Sequence, residues 1–466
     1  MRSILGAALS RGAQVDEVRL LSPTGILGYG YPVSSLEAGL AERPDFIGVD
    51  AGSTDPGAYY LGAGVSFTSG EGVRRDLAPL LRAGRRLGIP VIVGSSGGSG
   101  GDPHLEWMWE IVQRVAREEG LTLRVAIIHA EQSQEVVLGA LRRGRIRSLG
   151  PVPMATEADV MRCSRIVGQM GAEPIQAALK MGVDVVLAGR SCDVSIFSAI
   201  PLGLGFDPGV VMHAAKIVEC GAYCAEPAGA SDGILAIIRS DHFILRALNP
   251  ARRVTAVSAA AHSLYEQGHP SLIVEPMGTV DVRAARFRER SDGSVEVSGS
   301  AFHPAAQYTI KLEGAALVGH RAVSIGGVRD PTAIRHIDAT FSAARELVGE
   351  AFGPPEDSGY RLIFRVYGRD GVMGASEPVT AATSHEVGIL IEAIAPSQRS
   401  ASDICSLARS TILHADYPDR LTIGGNLALP FSPHDAAWGP VFEFGLYHLM
   451  EVEDPVALFP LELRST

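Results

Sequence analysis

Between residues 45 and 189 the chain carries four short apolar runs without polar alternation: DFIGVD (45–50), IPVIVGS (89–95), LTLRVAIIH (121–129) and VDVVLAG (183–189). A strand with one wet face alternates apolar and polar positions, whereas a strand covered on both faces does not. Stretches with helical spacing separate these runs, at 73–87, 103–119, 131–143 and 157–181. Strand and helix alternating at this interval predict crossover connections and a mostly parallel sheet. Further on, SDGILAIIRSDHFILRAL fits strand or helix equally, TAVSAAAHSLYEQ (255–267) fits a helix, and LIVEPMGTVDV (272–282) is extended.

The second half has a more definite order. AVSIGG (322–327) is an expected strand, 332–350 a helix, YRLIFRVYG (360–368) and HEVGILIEAIA (385–395) strands. Residues 397–414 form a helix with Ser397 as N-cap, and FEFGLYHLMEV (442–452) is the final strand. This β-α-β-β-α-β order is the ferredoxin-like one. The expected organisation is an α/β domain with a mostly parallel sheet over 1–270 and a small β connection over 271–320, built from 272–282, 294–299 and 308–313. An α+β ferredoxin-like domain over 321–466 completes it.

Composition removes several function classes. Forty-one Lys+Arg against 52 Asp+Glu leave a formal charge of −11, the wrong sign for a nucleic-acid binder. Only Lys180, Lys216 and Lys311 are lysines, and none follows a glycine run as a GxxxxGK[ST] phosphate loop requires. Five scattered cysteines do not make a disulfide framework, and Cys220 with Cys224 lacks the second pair of a zinc site. No run of 18 apolar residues occurs, and MRSILGAALSRGAQVDEVRL lacks the apolar core and cleavage site of a leader. A cytoplasmic protein without a membrane partner is expected.

In open α/β sheets ligands bind beyond the carboxyl ends of the strands. Those ends carry Asp50, Ser53 and Asp55; Ser95, Ser96, Asp102 and His104; His129 and Glu131; and Arg190, Cys192 and Asp193. The loop Gly94–Asp102 brings Gly97, Gly98, Gly100 and Gly101 after a strand, so the backbone can approach a ligand closely. A helix starting near Pro103, with Asp102 as its cap, would aim free N–H groups at a carboxylate or phosphate. Pro103 stands where G-x-G-x-x-G needs its last glycine, so a dinucleotide is not expected. His129 and Glu131, two apart on an extended segment, face the same way as an acid/base pair, or as metal ligands with Asp102 or His104. Arg190 offers a fork for a substrate carboxylate, and Asp50 and Asp193 would orient polar groups or a divalent metal. The plainer alternatives are a glycine loop that only permits tight packing, a capping Asp102, a hydrogen-bonded His129, a salt-bridged Arg190 and inert thiols at Cys192 and Cys220. Asp50-Ala-Gly-Ser-Thr also matches the first phosphate loop of the sugar kinase and actin ATPases, which demands a β-hairpin next. HAAKIVEC places His213, Lys216 and Cys220 on one helix face.

Longer strings carry a family resemblance. IGVDAGSTDPGAYYLGAG (47–64), GSSGGSGGDPHLEW (94–107), IIHAEQ (127–132), LAGRSCDVSIFSAIPLGLGFDPG (187–209) and HAAKIVECGA (213–222) resemble the acyclic terpene utilisation, AtuA-like, family. So do HSLYEQGHP, HEVGILIEAIAP, CSLARSTILH and GNLALPFSP further on. The resemblance implies a place in the degradation of branched terpenoids through CoA thioesters, where a member has been proposed as the lyase releasing acetate from a 3-hydroxy-3-alkylglutaryl-CoA. It also agrees with a ferredoxin-like C-terminal region, and it assigns no catalytic residue. The expectation is a catabolic lyase or hydro-lyase acting on a carboxylic acid or acyl-CoA by proton abstraction next to a carbonyl. A small anionic substrate, CoA as part of it or a divalent metal, and a homo-oligomer go with that expectation. The alternatives are a non-catalytic or ligand-binding subunit of a heteromeric complex and an ATPase-like nucleotide binder.

Overall fold

The computed structural model describes residues 15–379 and 384–466; residues 1–14, on which most of the leader reading rests, lie outside them. The chain divides into two compact units, Met1–Ala316 with Phe444–Thr466, and Leu317–Glu443.

The first unit is built on a ten-stranded sheet. Its order is Arg286–Glu289, Val295–Ser298, His242–Ala247, Ile234–Arg239, Glu17–Ser22, Phe46–Asp50, Val91–Gly94, Val185–Ala188, Arg124–Ile128 and Leu461–Ser465. The five strands from Glu17–Ser22 to Arg124–Ile128 are parallel, and four of them are the apolar runs of the sequence. Phe46–Asp50, Val91–Gly94 and Val185–Ala188 are buried at every residue, as strands sandwiched between helices must be. The sheet as a whole is mixed, which corrects the expectation of a mostly parallel one: all five other pairings are antiparallel. SDGILAIIRSDHFILRAL supplies two of these strands, joined by the two-residue turn Ser240-Asp241, too short for a crossover. One apolar layer lies against helices Gly70–Leu87 and Asp102–Glu119, the other against Ala172–Lys180, Asp193–Gly203 and Pro208–Val218.

Three further expectations change. Residues 157–181 are not one helix: a short helix, Glu157–Arg162, opens on a Thr156 capping box, and strand Cys163–Gln169 separates it from Ala172–Lys180. That strand pairs antiparallel with Lys311–Ala316, a partner so distant in sequence that local periodicity carries no trace of it. The small sheet contains Leu272–Glu275, Gly278–Asp281 and Ala301–Pro304, whereas Val295–Ser298 joins the large sheet instead. Finally, Asp435–Glu451 is not the last strand, because Leu461–Ser465 follows and pairs with Arg124–Ile128.

In the second unit the chain runs from the later part of strand Thr309–Val328 through helices Pro331–Arg335 and Ile337–Phe352 to strands Arg361–Tyr367 and Val387–Ala395. Helix Gln398–His414 then leads to the start of Asp435–Glu451. The strand order is Arg361–Tyr367, Val387–Ala395, Thr309–Val328, Asp435–Glu451, and both pairs of Val387–Ala395 are antiparallel. Ser397 caps its helix by accepting from the Ser400 N–H. Phe341 and Phe364 stack in the core with ring centroids 4.4 Å apart.

Close packing at the strand ends fixes the glycine loop. Gly100 has φ +66°, and a Cβ there would lie 2.0 Å from the Arg190 backbone nitrogen. We expect Gly100→Ala to cost about 2–4 kcal/mol in urea unfolding, where strain and overpacking combine. Gly88→Ala, at φ +68° with open space around it, should cost only about 1 kcal/mol.

Candidate active site

Three parallel strands end around one cavity of about 200 Å³. Gly25, Ile26 and Tyr29 follow Glu17–Ser22; Asp50, Gly52, Ser53 and Asp55 close Phe46–Asp50; and Asp193 begins the helix reached from Val185–Ala188. Helix Pro208–Val218 delivers Glu219 and Cys220 from the side, and Phe67, Tyr223, Tyr265 and Glu266 complete the wall. Asp50, Ser53, Asp55 and Asp193, expected as one site, are thus brought together; among the lining residues there is no Lys, Arg or His.

The charges behind this wall decide its chemistry. Lys216, 5% exposed, donates a hydrogen bond to Glu219 Oε1, and its Nζ lies 5.7 Å from the centre of the Tyr265 ring. Burial raises the Glu219 carboxyl, Lys216 opposes this and Asp193 adds to it, leaving Glu219 at about 8. Burial works against the Lys216 ammonium, but the Glu219 charge more than offsets that and raises it. Burial thus favours a protonated Glu219, attraction between the two favours the Lys216 ammonium, and the two groups titrate as a unit. Asp50, 4% exposed, is raised well above the usual carboxylate range by burial and by Asp193, against Arg190 and the Ala51 and Gly52 N–H groups it accepts from. Burial also lifts Glu275, which accepts from the Cys192 thiol at 2.7 Å, to about 7.

Arg190 does not reach the cavity as a free anchor. It is 3% exposed and donates from Nε to Glu313 Oε2 at 3.1 Å and from Nη1 to Ser95 Oγ at 3.0 Å, with Asp193 Oδ1 4.0 Å away. Glu313 also holds Lys311 at 2.8 Å. The salt-bridge alternative describes it.

The remaining expected residues form a separate cluster. His129 Nδ1 meets Asp102 Oδ1 at 2.8 Å, not Glu131. Glu131 turns away to accept from the Asp102 backbone N–H and from Arg165 Nη1, both at 2.9 Å. The N-terminus of helix Asp102–Glu119 is therefore capped by the chain's own carboxylate where an anionic ligand was expected. His104 is buried with Nε2 against the Tyr60 and Val65 carbonyls, and burial lowers its pKa. The loop glycines face protein: a Cβ would strike His104 at Gly97, Phe67 at Gly98, and Glu131 or His104 at Gly101. Ser95, at φ +42°, is fastened to Ser191 and Arg190, and the Ser96 hydroxyl is buried without a partner. Tight packing is what the loop achieves. It also carries the G-x-S-x-G spacing of a nucleophile elbow, at Gly94–Gly98 and Gly97–Gly101, yet no His ring bonds to Ser96 or Ser99 among the described residues. After Asp50 come helices Tyr59–Ala63 and Gly70–Leu87, not the hairpin that the ATPase alternative demands. His213 lies buried between the Ser263 and Ser300 hydroxyls. Among the described residues no group of three or more His, Cys, Asp and Glu is arranged to hold a metal ion.

Glu219 and Glu275 stand in no catalytic motif of the sequence, and Lys216 is marked there only by its helix face. One signal was present: Lys216 is one of three lysines, three residues before Glu219, in a helix whose other side chains, His213 apart, are apolar. A charge pair buried at that spacing carries a desolvation cost that its own attraction seldom offsets in full, which sets it apart from its apolar neighbours.

The fold and site together define a mixed α/β protein with an acid-lined cavity beyond the ends of parallel strands. The chain belongs to the acyclic terpene utilisation family: the model of that family, AtuA, matches residues 71–418, about three quarters of its length. No curated protein and no solved structure gives a significant match. No helix among the described residues is long and apolar enough to cross a membrane.

Arg190→Met would leave Glu313 short of a partner in the interior. We expect a loss of about 3–5 kcal/mol in urea unfolding, and at most partial recovery in Arg190→Met/Glu313→Gln, which in turn takes the carboxylate from Lys311.

Proposed function

We propose that this chain is a catabolic enzyme of lyase or hydro-lyase type that moves a proton next to the carbonyl of a small carboxylic acid or acyl thioester. The observation that carries the reading is a buried carboxyl, Glu219, held by Lys216 in the wall of a cavity that also holds Asp50 and Asp193, where burial pushes Glu219 toward its protonated form. In this reading the Asp193 carboxylate takes the proton from the carbon beside the carbonyl. The electron pair moves onto the carbonyl oxygen, which receives a proton from Glu219. Lys216 then stabilises the Glu219 carboxylate so formed, and Asp50, whose carboxyl burial also pushes toward its neutral form, is the second donor to the developing charge. As the enol collapses, its O–H proton returns to the Glu219 carboxylate, the carbonyl re-forms with a new carbon–carbon double bond beside it, and the β-substituent leaves with the proton that Asp193 took. Ile26, Phe67, Tyr223 and Tyr265 give an apolar tail its walls, with CoA, where present, carried as part of the substrate. We place the enzyme in the cytoplasm as a homo-oligomer, and read the second unit as ferredoxin-like, which its strand order supports.

A second reading, a ligand-binding subunit of a heteromeric complex, draws on the apolar side chains the second unit exposes, among them Leu421 at 93% and Ile423 at 91%. Size measurement separates the two: a chain active without a partner protein removes it.

The test is turnover on a panel of acyl thioesters and hydroxy acids from pH 6 to 9.5. A raised carboxyl is protonated below its pKa, so the rate should fall tenfold per pH unit above about 8. Glu219→Gln should lose about 10²- to 10⁴-fold in kcat and the alkaline limb with it. His129→Ala should retain turnover, since His129 does not line the cavity. Full activity in Glu219→Gln sinks the assignment.

A further inference from the structure

His129 stands where three elements of the first unit meet. Its ring follows strand Arg124–Ile128, Asp102 and Glu106 come from helix Asp102–Glu119, and Glu462 and Arg464 from strand Leu461–Ser465. Nδ1 lies 2.8 Å from Asp102 Oδ1 and Nε2 3.7 Å from Glu462 Oε2. Arg464 is shared between Glu462 and Glu106, at 2.8 Å to each, and its guanidinium lies 5.6 Å from the Trp109 ring centre. Glu131, held by Arg165, lies behind Asp102. Four carboxylates thus face two guanidiniums, leaving two negative charges uncompensated when the imidazole is neutral. A neutral ring can keep its hydrogen bond to Asp102 but carries no charge for Glu462, while an imidazolium bonds Asp102 and pairs with Glu462 at 3.7 Å.

We propose that His129 is a pH-sensitive latch that fastens the C-terminal strand Leu461–Ser465 to the start of helix Asp102–Glu119. When charged it bridges Asp102 and Glu462. When neutral it keeps one of them, and the strand, an edge strand held also by its main-chain ladder, Arg464, the bonds of Thr466 to Leu121 and Leu123 and the packing of Leu461, opens more often. The hydrogen bond to Asp102 and the Asp102 and Glu462 charges outweigh burial and raise the His129 pKa. A raised folded pKa places the latch fully on below the ordinary histidine value and releases it as pH climbs through the folded one. The device is separate from the cavity and stands whether or not the catalytic reading does.

The test is amide hydrogen exchange of the whole chain from pH 5.5 to 9, expressed as protection factors so that intrinsic chemistry cancels. Ile234–Arg239 serves as an internal reference. In the wild type, protection of 461–466 should fall about 2- to 5-fold relative to the reference as pH rises. It should be flat in His129→Gln, and equally flat in Glu462→Gln, which keeps the imidazole and guards against a misfolded first variant. Flat protection in the wild type, or the same fall in both variants, overturns the proposal.

Discussion

A guanidinium taken out of water must be matched. Arg190 is matched by Glu313, whose carboxylate is shared with Lys311, and by the Ser95 hydroxyl. These partners come from separate segments: the loop after Val185–Ala188, the strand Thr309–Val328 and the glycine loop. None of the three segments can shift without stranding a charge, and that constraint sets where Asp193 and its helix begin. Such a network adds little net stability, but the penalty for breaking it is large, so it serves mainly to define position.

The cavity shows what burial does to a carboxyl. The chain carries a surplus of 11 negative charges, yet at the cavity wall Asp50 and Glu219 are pushed toward their neutral forms. A neutral acid donates a hydrogen bond where a carboxylate only accepts, so the wall can meet a carbonyl oxygen. Lys216 matters as a compact point charge in this setting, and an arginine would bring a larger planar group.

The residues that looked most like chemistry in the sequence fasten elements together. Glu131 caps the helix that was to hold an anion, His104 holds the Tyr60 and Val65 carbonyls, and the loop glycines let the backbone of Gly100 touch that of Arg190. Polar groups at strand ends face two demands, ligand binding and satisfaction of buried backbone, and sequence alone does not separate them.

Apolar runs without alternation located four of the five parallel strands, and element order located the helices and strands of the second unit, because burial on both faces and helical spacing are written locally. The family was legible in long strings for the same reason. Local pattern could not reveal Cys163–Gln169 or Leu461–Ser465, whose partners lie more than 140 and 330 residues away. Nor could it separate Asp50 and Asp193, which share a cavity, from His129 and Glu131, which do not. The ends of the strands were given by sequence. Which ends open onto empty space was decided only when Arg190, Glu313 and Lys216 found their partners across the folded chain.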